Sequence, residues 1–442
     1  MKLNTKRFFE LAKENDLTAS DLIIEECRSL SLTVFRNVID NYSENYDYSV
    51  SARGILNNKF GSCHVEYVDK NTPDFLINNI IETAKINEAE NDAIIFKGSK
   101  KYHRASYYHE DFLNVPISKK KEMLFRIEKK CQEYDKKVNE VNVSYFEDKG
   151  QFRLCNSYGL NLKNKFASFS IILEVVVKNG DETRVNFQTF DSDQFSEFNE
   201  DKFIKEVCEG ALKQLGSKQC KSKKYPVVLN QESAAVLLKT YLANCDAEEV
   251  QKKTSLFVNK LHKQVTSKKL NVIENPLEKN IYCVAFDHEG VATSKKQIIK
   301  NGQLETLIYT LATAKKDGVE PTGNGVRSAG KAHAGFGFMI VKPGKKSEQE
   351  MISDIKEGVY IESLEGLHAG LNAQSGNFSL QCSGYMIRDG KIAEPLSLIT
   401  LAGNLVEMFN DIKALSNNVK TLSNIKMSIP SIRFGKMAVS GQ

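Results

Sequence analysis

Three dipeptides, Asn179-Gly180, Asn301-Gly302 and Asp389-Gly390, lie between runs of strand-like residues and restrict this chain more than any other feature. Asn or Asp followed by Gly tolerates the positive φ of a tight hairpin turn, so each dipeptide predicts two adjacent antiparallel strands. The expected partners are residues 171–177 with 183–190, 295–300 with 303–309, and 384–388 with 391–393. Antiparallel β structure is therefore expected in both halves of the chain.

Helical spacing appears between these strands. Residues 5–14 read as an amphipathic helix, 73–87 as a second, and 118–135 as a third, with Leu124, Ile127 and Cys131 on one face. Residues 20–68 turn toward period-two alternation, clearest in Ser29-Leu30-Ser31-Leu32-Thr33-Val34-Phe35, and residues 141–146 open a second strand group. A helix near 200–216 follows. In the second half helical islands are expected at 231–245, 310–317, 347–356 and 404–414, and a strand at 281–285 leads into a turn at Asp287-His288-Glu289-Gly290.

The 442 residues exceed the roughly 250 to 300 at which a single core stops growing, which predicts about two domains. The expected class is α+β: a mixed α/β N-terminal domain over 1–216 and a C-terminal domain over 225–442, mainly antiparallel β with helices. The basic stretch at 216–225 joins them. Its lysines precede the strand-like Tyr225-Pro226-Val227-Val228-Leu229 with no interleaved aromatic, so they read as a solvated linker rather than a nucleic-acid patch. A net charge of +5 is too small to imply direct nucleic-acid binding.

The nine cysteines are odd in number, widely spaced and free of C-x-x-C pairs, a pattern expected of reduced thiols in the cytoplasm. The charged N-terminus does not read as a secretory signal, and no run approaches the roughly 18 apolar residues of a membrane span. A membrane partner is not expected.

A zinc peptidase helix needs two imidazoles on one face with a Glu beside them. The seven histidines, His64, His103, His109, His262, His288, His333 and His368, form neither His-Glu-x-x-His nor His-Glu-x-x-x-His. No G-x-S-x-G elbow is present. The dipeptides His109-Glu110 and His288-Glu289 read as a solvated loop and a structural turn. Thr322-Gly323-Asn324-Gly325-Val326-Arg327 lacks the motif and context of a P-loop, and its glycines read as permitting close backbone approach. No residue is assigned a catalytic or metal-ligating role.

The order Asp287-His288-Glu289-Gly290, Pro321-Thr322-Gly323-Asn324, Ala402-Gly403-Asn404-Leu405 and Ser423-Asn424-Ile425 resembles the TldD/PmbA peptidase family, on the PmbA or TldE branch. In TldD-type members a small-residue, Leu-Leu helix start like Ser233-Ala234-Ala235-Val236-Leu237-Leu238 leads into the zinc motif. In that register Lys239, Thr240 and Asn244 stand here where the catalytic relatives carry His, Glu and His. The tail around Ser423 also lacks the Cys that the resemblance assigns to those relatives. The resemblance implies no cofactor in this chain, zinc in a TldD-type partner subunit, and an unfolded peptide substrate. It also implies a cleft lined by Asn324, Gly325, His368, Asn372 and Gly376. The alternatives are a homodimeric metallopeptidase with ligands such as His103, His109 or His368, and a non-enzymatic protein of the gyrase-modulator type.

Overall fold

The computed structural model describes residues 1–87, 93–104, 107–328 and 331–442. The chain opens with helix α1 (Thr5–Glu14), whose Asn4 side chain accepts from the Arg7 amide and so satisfies one of the free donors of its first turn. Strands β1 (Ala19–Phe35), β2 (Val38–Leu56) and β3 (Lys59–Val65) follow, then helices α2 (Thr72–Ile86) and α3 (Ile117–Tyr134). Strands β4 (Val138–Asn156), β5 (Asn161–Asn179) and β6 (Glu182–Ser192) and helix α4 (Glu200–Lys213) complete the first domain. The six strands form one antiparallel sheet in the order β3-β2-β1-β4-β5-β6, so the β1–β4 pair joins two meanders.

Period-two patterning decides which face of this sheet is buried. Along β5 the residues Ala167, Phe169, Ile171, Leu173, Val175 and Val177 all point inward, against Leu124, Ile127 and Cys131 of α3 and Val207 and Cys208 of α4. Helices α1 and α2 cover the other end of the sheet with Phe8, Leu76, Ile77 and Ile80 against Leu22 and Val50.

The second sheet begins at β7 (Lys223–Leu229) and holds ten strands among the described residues. Its long members are Glu357–Glu365, Asn377–Arg388, Lys391–Asn404, Ile412–Leu422 and Met427–Ser440, mostly antiparallel. Helix α5 (Gln231–Leu242) packs beneath it, burying Ala234, Leu237, Leu238 and Tyr241 in the core. The basic stretch is bound to this sheet by its backbone. Lys218 exchanges bonds with Pro395 and Ser397, and Ser222 and Cys220 pair with Gln442.

All three predicted hairpins are present. Asn301 and Gly302, and Asp389 and Gly390, take positive φ at both central positions. The first hairpin is displaced by one residue: Asn179 pairs with Glu182, so Gly180 and Asp181 are central and Gly180 alone has positive φ.

Four expectations need correction. The helix expected over 347–356 is confined to Glu348–Ile352, because the chain turns there into the strand Glu357–Glu365. The strand expected over 303–309 is confined to Gln303–Leu304. Beyond it, Tyr309 leaves the sheet and its amide is taken by the Thr322 hydroxyl. The helix expected over 404–414 ends at Asn410, because Ile412–Leu422 is drawn into pairing with Met427–Ser440. Residues 281–285 form turns rather than a strand, since Ala285 and Phe286 pack on Ile23 and Leu154 of the first sheet instead of beside a strand. The short helices Ala247–Gln251 and Leu367–Gly370 carry no periodicity long enough to read from sequence. Among the described residues no helix is long and apolar enough to cross a membrane.

Candidate functional site

The turn at 287–290 is a structural turn, as its sequence suggests, but it is buried in a seam between the two sheets. Phe286 and His288 both pack on Phe152 of β4, the imidazole stacked at 4.7 Å. The Tyr102 hydroxyl donates to the Gly290 carbonyl at 2.7 Å, and Ser99 Oγ accepts from the Ala292 amide at 3.0 Å. The loop is thus held by the first domain on two sides.

Charge is concentrated at this seam. Asp21 of β1 accepts from Arg53 of β2 at 2.6 and 3.3 Å and from Arg327 of the strand Gly325–Ser328 at 2.9 Å. All three side chains are at most 4% exposed. Burial alone would raise Asp21, but Arg327 and Arg53 outweigh it and hold the carboxyl below its ordinary 3.8. Burial lowers Arg327 to about 10, so it stays cationic at neutrality, yet among the described residues its Nε and Nη2 have no hydrogen-bond partner.

The charges of Asp287 and Glu289 reach Arg53, and that of Glu289 also reaches Arg327. Burial, reinforced by Glu289, pushes Asp287 up to about 7, although its oxygens accept from the amides of Glu289, Val291 and Gly325. Glu289 is also raised, mainly by burial, and its Oε2 accepts from the Leu311 amide at 2.9 Å. His288 is driven down to about 4 by burial and by the charges of Arg327, Lys426 and His333. Its Nδ1 accepts from the Arg327 amide at 3.3 Å, which assigns the proton to Nε2. The dipeptide is therefore a neutral imidazole beside a buried carboxyl, and both are committed to backbone groups.

Two of the five predicted cleft residues belong to this seam. Asn324 bridges Gly335 O and the fully buried Glu274, and Glu274 in turn binds Lys296 at 2.7 Å. Gly325 gives its amide to Asp287 at 2.7 Å and its carbonyl to the His288 amide at 2.9 Å. A Cβ at Gly325 would lie 2.5 Å from Glu289 Oε2, so a side chain must displace the carboxylate that holds Leu311. Gly325→Ala is accordingly expected to destabilise the protein by about 1–3 kcal/mol, measured as a lower denaturant midpoint at unchanged m-value.

The other three occupy a different loop. His368 lies on the exposed surface of the short helix Leu367–Gly370. Asn372 is also exposed, and its Oδ1 accepts from the Gln374 and Ser375 amides. Gly376 is buried with φ +75, 3.4 Å from where a Cβ would meet Leu256.

Helix α5 and the turn after it carry the positions that the family resemblance aligns with the zinc motif. Lys239 is exposed and Thr240 returns its hydroxyl to the Val236 carbonyl. Asn244, buried just past the helix, donates to Tyr241 O and accepts from the Leu256 amide. An ammonium offers no lone pair, the threonine hydroxyl is committed to the helix, and the Asn244 amide fixes the 255–256 loop, so this set does not fit zinc. Among the described residues no group of three or more His, Cys, Asp or Glu side chains could hold a metal ion. Of the scattered histidines, His109 packs edge-on against Tyr107 at 4.9 Å.

Sequence reasoning singled out the loops that carry Asp287, Glu289 and Arg327 but missed Asp21, Arg53 and Glu274. The available signal was weak: charged residues at inward positions of otherwise apolar strand ends.

A two-domain α+β fold with a polar seam between its two sheets matches a known class of protein. Residues 222–441 match the PmbA/TldA metallopeptidase C-terminal domain and residues 110–215 the central domain of the same group. The chain belongs to the PmbA/TldD metallopeptidase family and is PmbA-like. It is 24% identical to a metalloprotease PmbA homolog of Buchnera aphidicola over 99% of this chain and 96% of that protein. A Thermotoga maritima crystal structure described as a modulator of a DNA gyrase superposes with a TM-score of 0.90 at 26% identity, covering 99% of each chain. TldE from Thermococcus kodakarensis shares the fold, with a TM-score of 0.89 at 20% identity over 99% of this chain and 100% of that one.

Proposed function

We propose that this chain is the metal-free component of a two-part peptidase that acts on unfolded peptides, with zinc supplied by a TldD-type subunit. The observation that carries this reading is the chemistry of Lys239, Thr240 and Asn244. Helix α5 packs its apolar face into the core, and the positions that the family resemblance aligns with the zinc ligands hold an ammonium, a hydroxyl bonded to its own helix and an amide bonded to a loop. In this role the chain binds and encloses an extended substrate and leaves activation of water to its partner. Extended chains suit such a protein because a strand can add its backbone bonds to a sheet edge, which a folded domain cannot.

Two measurements test the reading. Elemental analysis of the isolated chain after dialysis against metal-free buffer should find near-zero zinc, whereas tightly held zinc at near-stoichiometric level would sink the proposal. Hydrolysis of an unfolded peptide should be absent with this chain alone and appear when a TldD-type subunit is added. Zinc-dependent cleavage by the chain alone would favour the homodimeric alternative.

A further inference from the structure

Pro226 of β7 has no N–H for a strand ladder, and a proline within a sheet is tolerated at an edge or a bulge. Opposite it the strand Met427–Ser440 carries one extra residue. Arg433 pairs with Val228 and Lys436 with Pro226, so Phe434 and Gly435 together face Val227 alone. The strand Ile412–Leu422 is irregular at the same level, where Lys413 is the extra residue between the pairs Ile412–Phe434 and Ala414–Arg433. Bulges bend strands and re-aim their side chains. Here they border a cleft of about 530 Å³ lined by Lys413, Arg433, Gly435 and Lys436, with Lys346 and Asp354 from either side of the short helix Glu348–Ile352.

Four cations and two carboxylates, Asp354 and Asp411, line this cleft. Lys413 is paired with Asp411, whose carboxylate occupies the space that a Cβ at Gly435 would need. Arg433 is paired end-on with Asp354, and its Nη1 also donates to the Met351 carbonyl at 2.9 Å. These bonds use both hydrogens of Nη1 and one of Nη2. The side edge of the guanidinium, Nε–H with the second Nη2 hydrogen, has no acceptor among the described residues, and Nε is buried. Lys346 and Lys436 are exposed and form no ion pair among the described residues.

The cleft therefore holds an excess of two positive charges, together with a guanidinium edge that lacks an acceptor. A phosphate dianion meets both needs, since its charge matches the excess and its oxygens suit the planar fork of an arginine. A single carboxylate would leave one charge unmatched. The volume is larger than a bare phosphate fills and lies in the range of small-molecule pockets. Pro226, Met351 and Ala414 provide apolar wall beside the charges.

We infer that this cleft binds a phosphate dianion, as the free ion or as the head of a small phosphate monoester. Arg433, fixed by Asp354 and Met351, is the positioned donor, and Lys346 and Lys436 supply the unpaired charge. The cleft shares no lining residue with the seam or with α5, so the inference is independent of the peptidase reading.

The test is isothermal titration calorimetry on the full chain with adenosine monophosphate, inorganic phosphate and adenosine. At least one of the two phosphates should bind about tenfold more tightly than adenosine. The double variant Lys346→Met/Lys436→Met retains the aliphatic stems and breaks no ion pair, so its urea midpoint should equal that of the wild type. It should weaken phosphate binding about tenfold, whereas Lys391→Met on a remote hairpin should leave it unchanged. Tighter binding of the monophosphate than of the free ion assigns the site to an ester, and equal binding assigns it to the ion; both support the dianion site. Binding of neither phosphate, equal affinity for adenosine and its monophosphate without binding of the free ion, or phosphate affinity undiminished in the double variant overturns it.

Discussion

Asp21→Asn is expected to cost about 3–5 kcal/mol of stability, because it leaves two buried guanidiniums without their counter-charge. Arg53 reaches Asp21 from the neighbouring strand and Arg327 reaches it from the second domain, so this one carboxylate neutralises charge on both sides of the seam. The charges of Asp287 and Glu289 also reach Arg53, but burial raises both acids and weakens them as substitutes. The change in denaturant midpoint measures the loss, and a shift no larger than an ordinary surface substitution gives, within about 0.5 kcal/mol, would contradict it.

The pH dependence separates these groups. Asp21 is held below its ordinary 3.8 in the folded state, so its contribution is present above that value and is lost as the pH falls through the folded value. The wild type should therefore lose stability in acid in a way that Asp21→Asn does not. Asp287 has the opposite sign. Raised to about 7, it binds its proton more tightly folded than unfolded, so its contribution is largest below 3.8 and declines as the pH rises toward 7. That decline should persist in Asp21→Asn, and urea titrations at several pH values distinguish the two trends.

Glu274→Ala is expected to have an effect of similar size, again about 3–5 kcal/mol. Glu274 is fully buried and accepts from Lys296 at 2.7 Å, Asn324 Nδ2 at 2.8 Å and the Gly337 amide at 2.5 Å. Removing it strands a nearly buried ammonium together with two amide donors. Glu274→Met combined with Lys296→Met should recover much of this loss, since replacing both partners of a buried pair with apolar groups is often close to neutral. A double variant as unstable as the sum of the single ones would show that the pair is not coupled.

The framework of both domains was legible because it rests on local rules. The alternation Phe169-Ser170-Ile171-Ile172-Leu173 fixes which face of β5 is buried, and the helical spacing of Leu124, Ile127 and Cys131 fixes the inner face of α3. Asp389-Gly390 specifies its turn from two residues alone. The candidate site was less accessible. The family resemblance implies that Asn324 and Gly325 line a cleft, and in the structure they bond Glu274 and Asp287 at the seam. His368 and Asn372 lie instead on an exposed loop.

The sequence by itself determined the strand and helix pattern, the hairpins and the absence of a histidine zinc motif, because each depends on residues within a few positions of one another. Tertiary structure alone decided that Asp21, Arg53 and Arg327 would meet, since 306 residues separate Asp21 from Arg327. A charge written in a strand carries no information about its distant partner. Only the packing of one sheet against the other brings such charges close, removes the water that would screen them and makes their pairing a large term in stability.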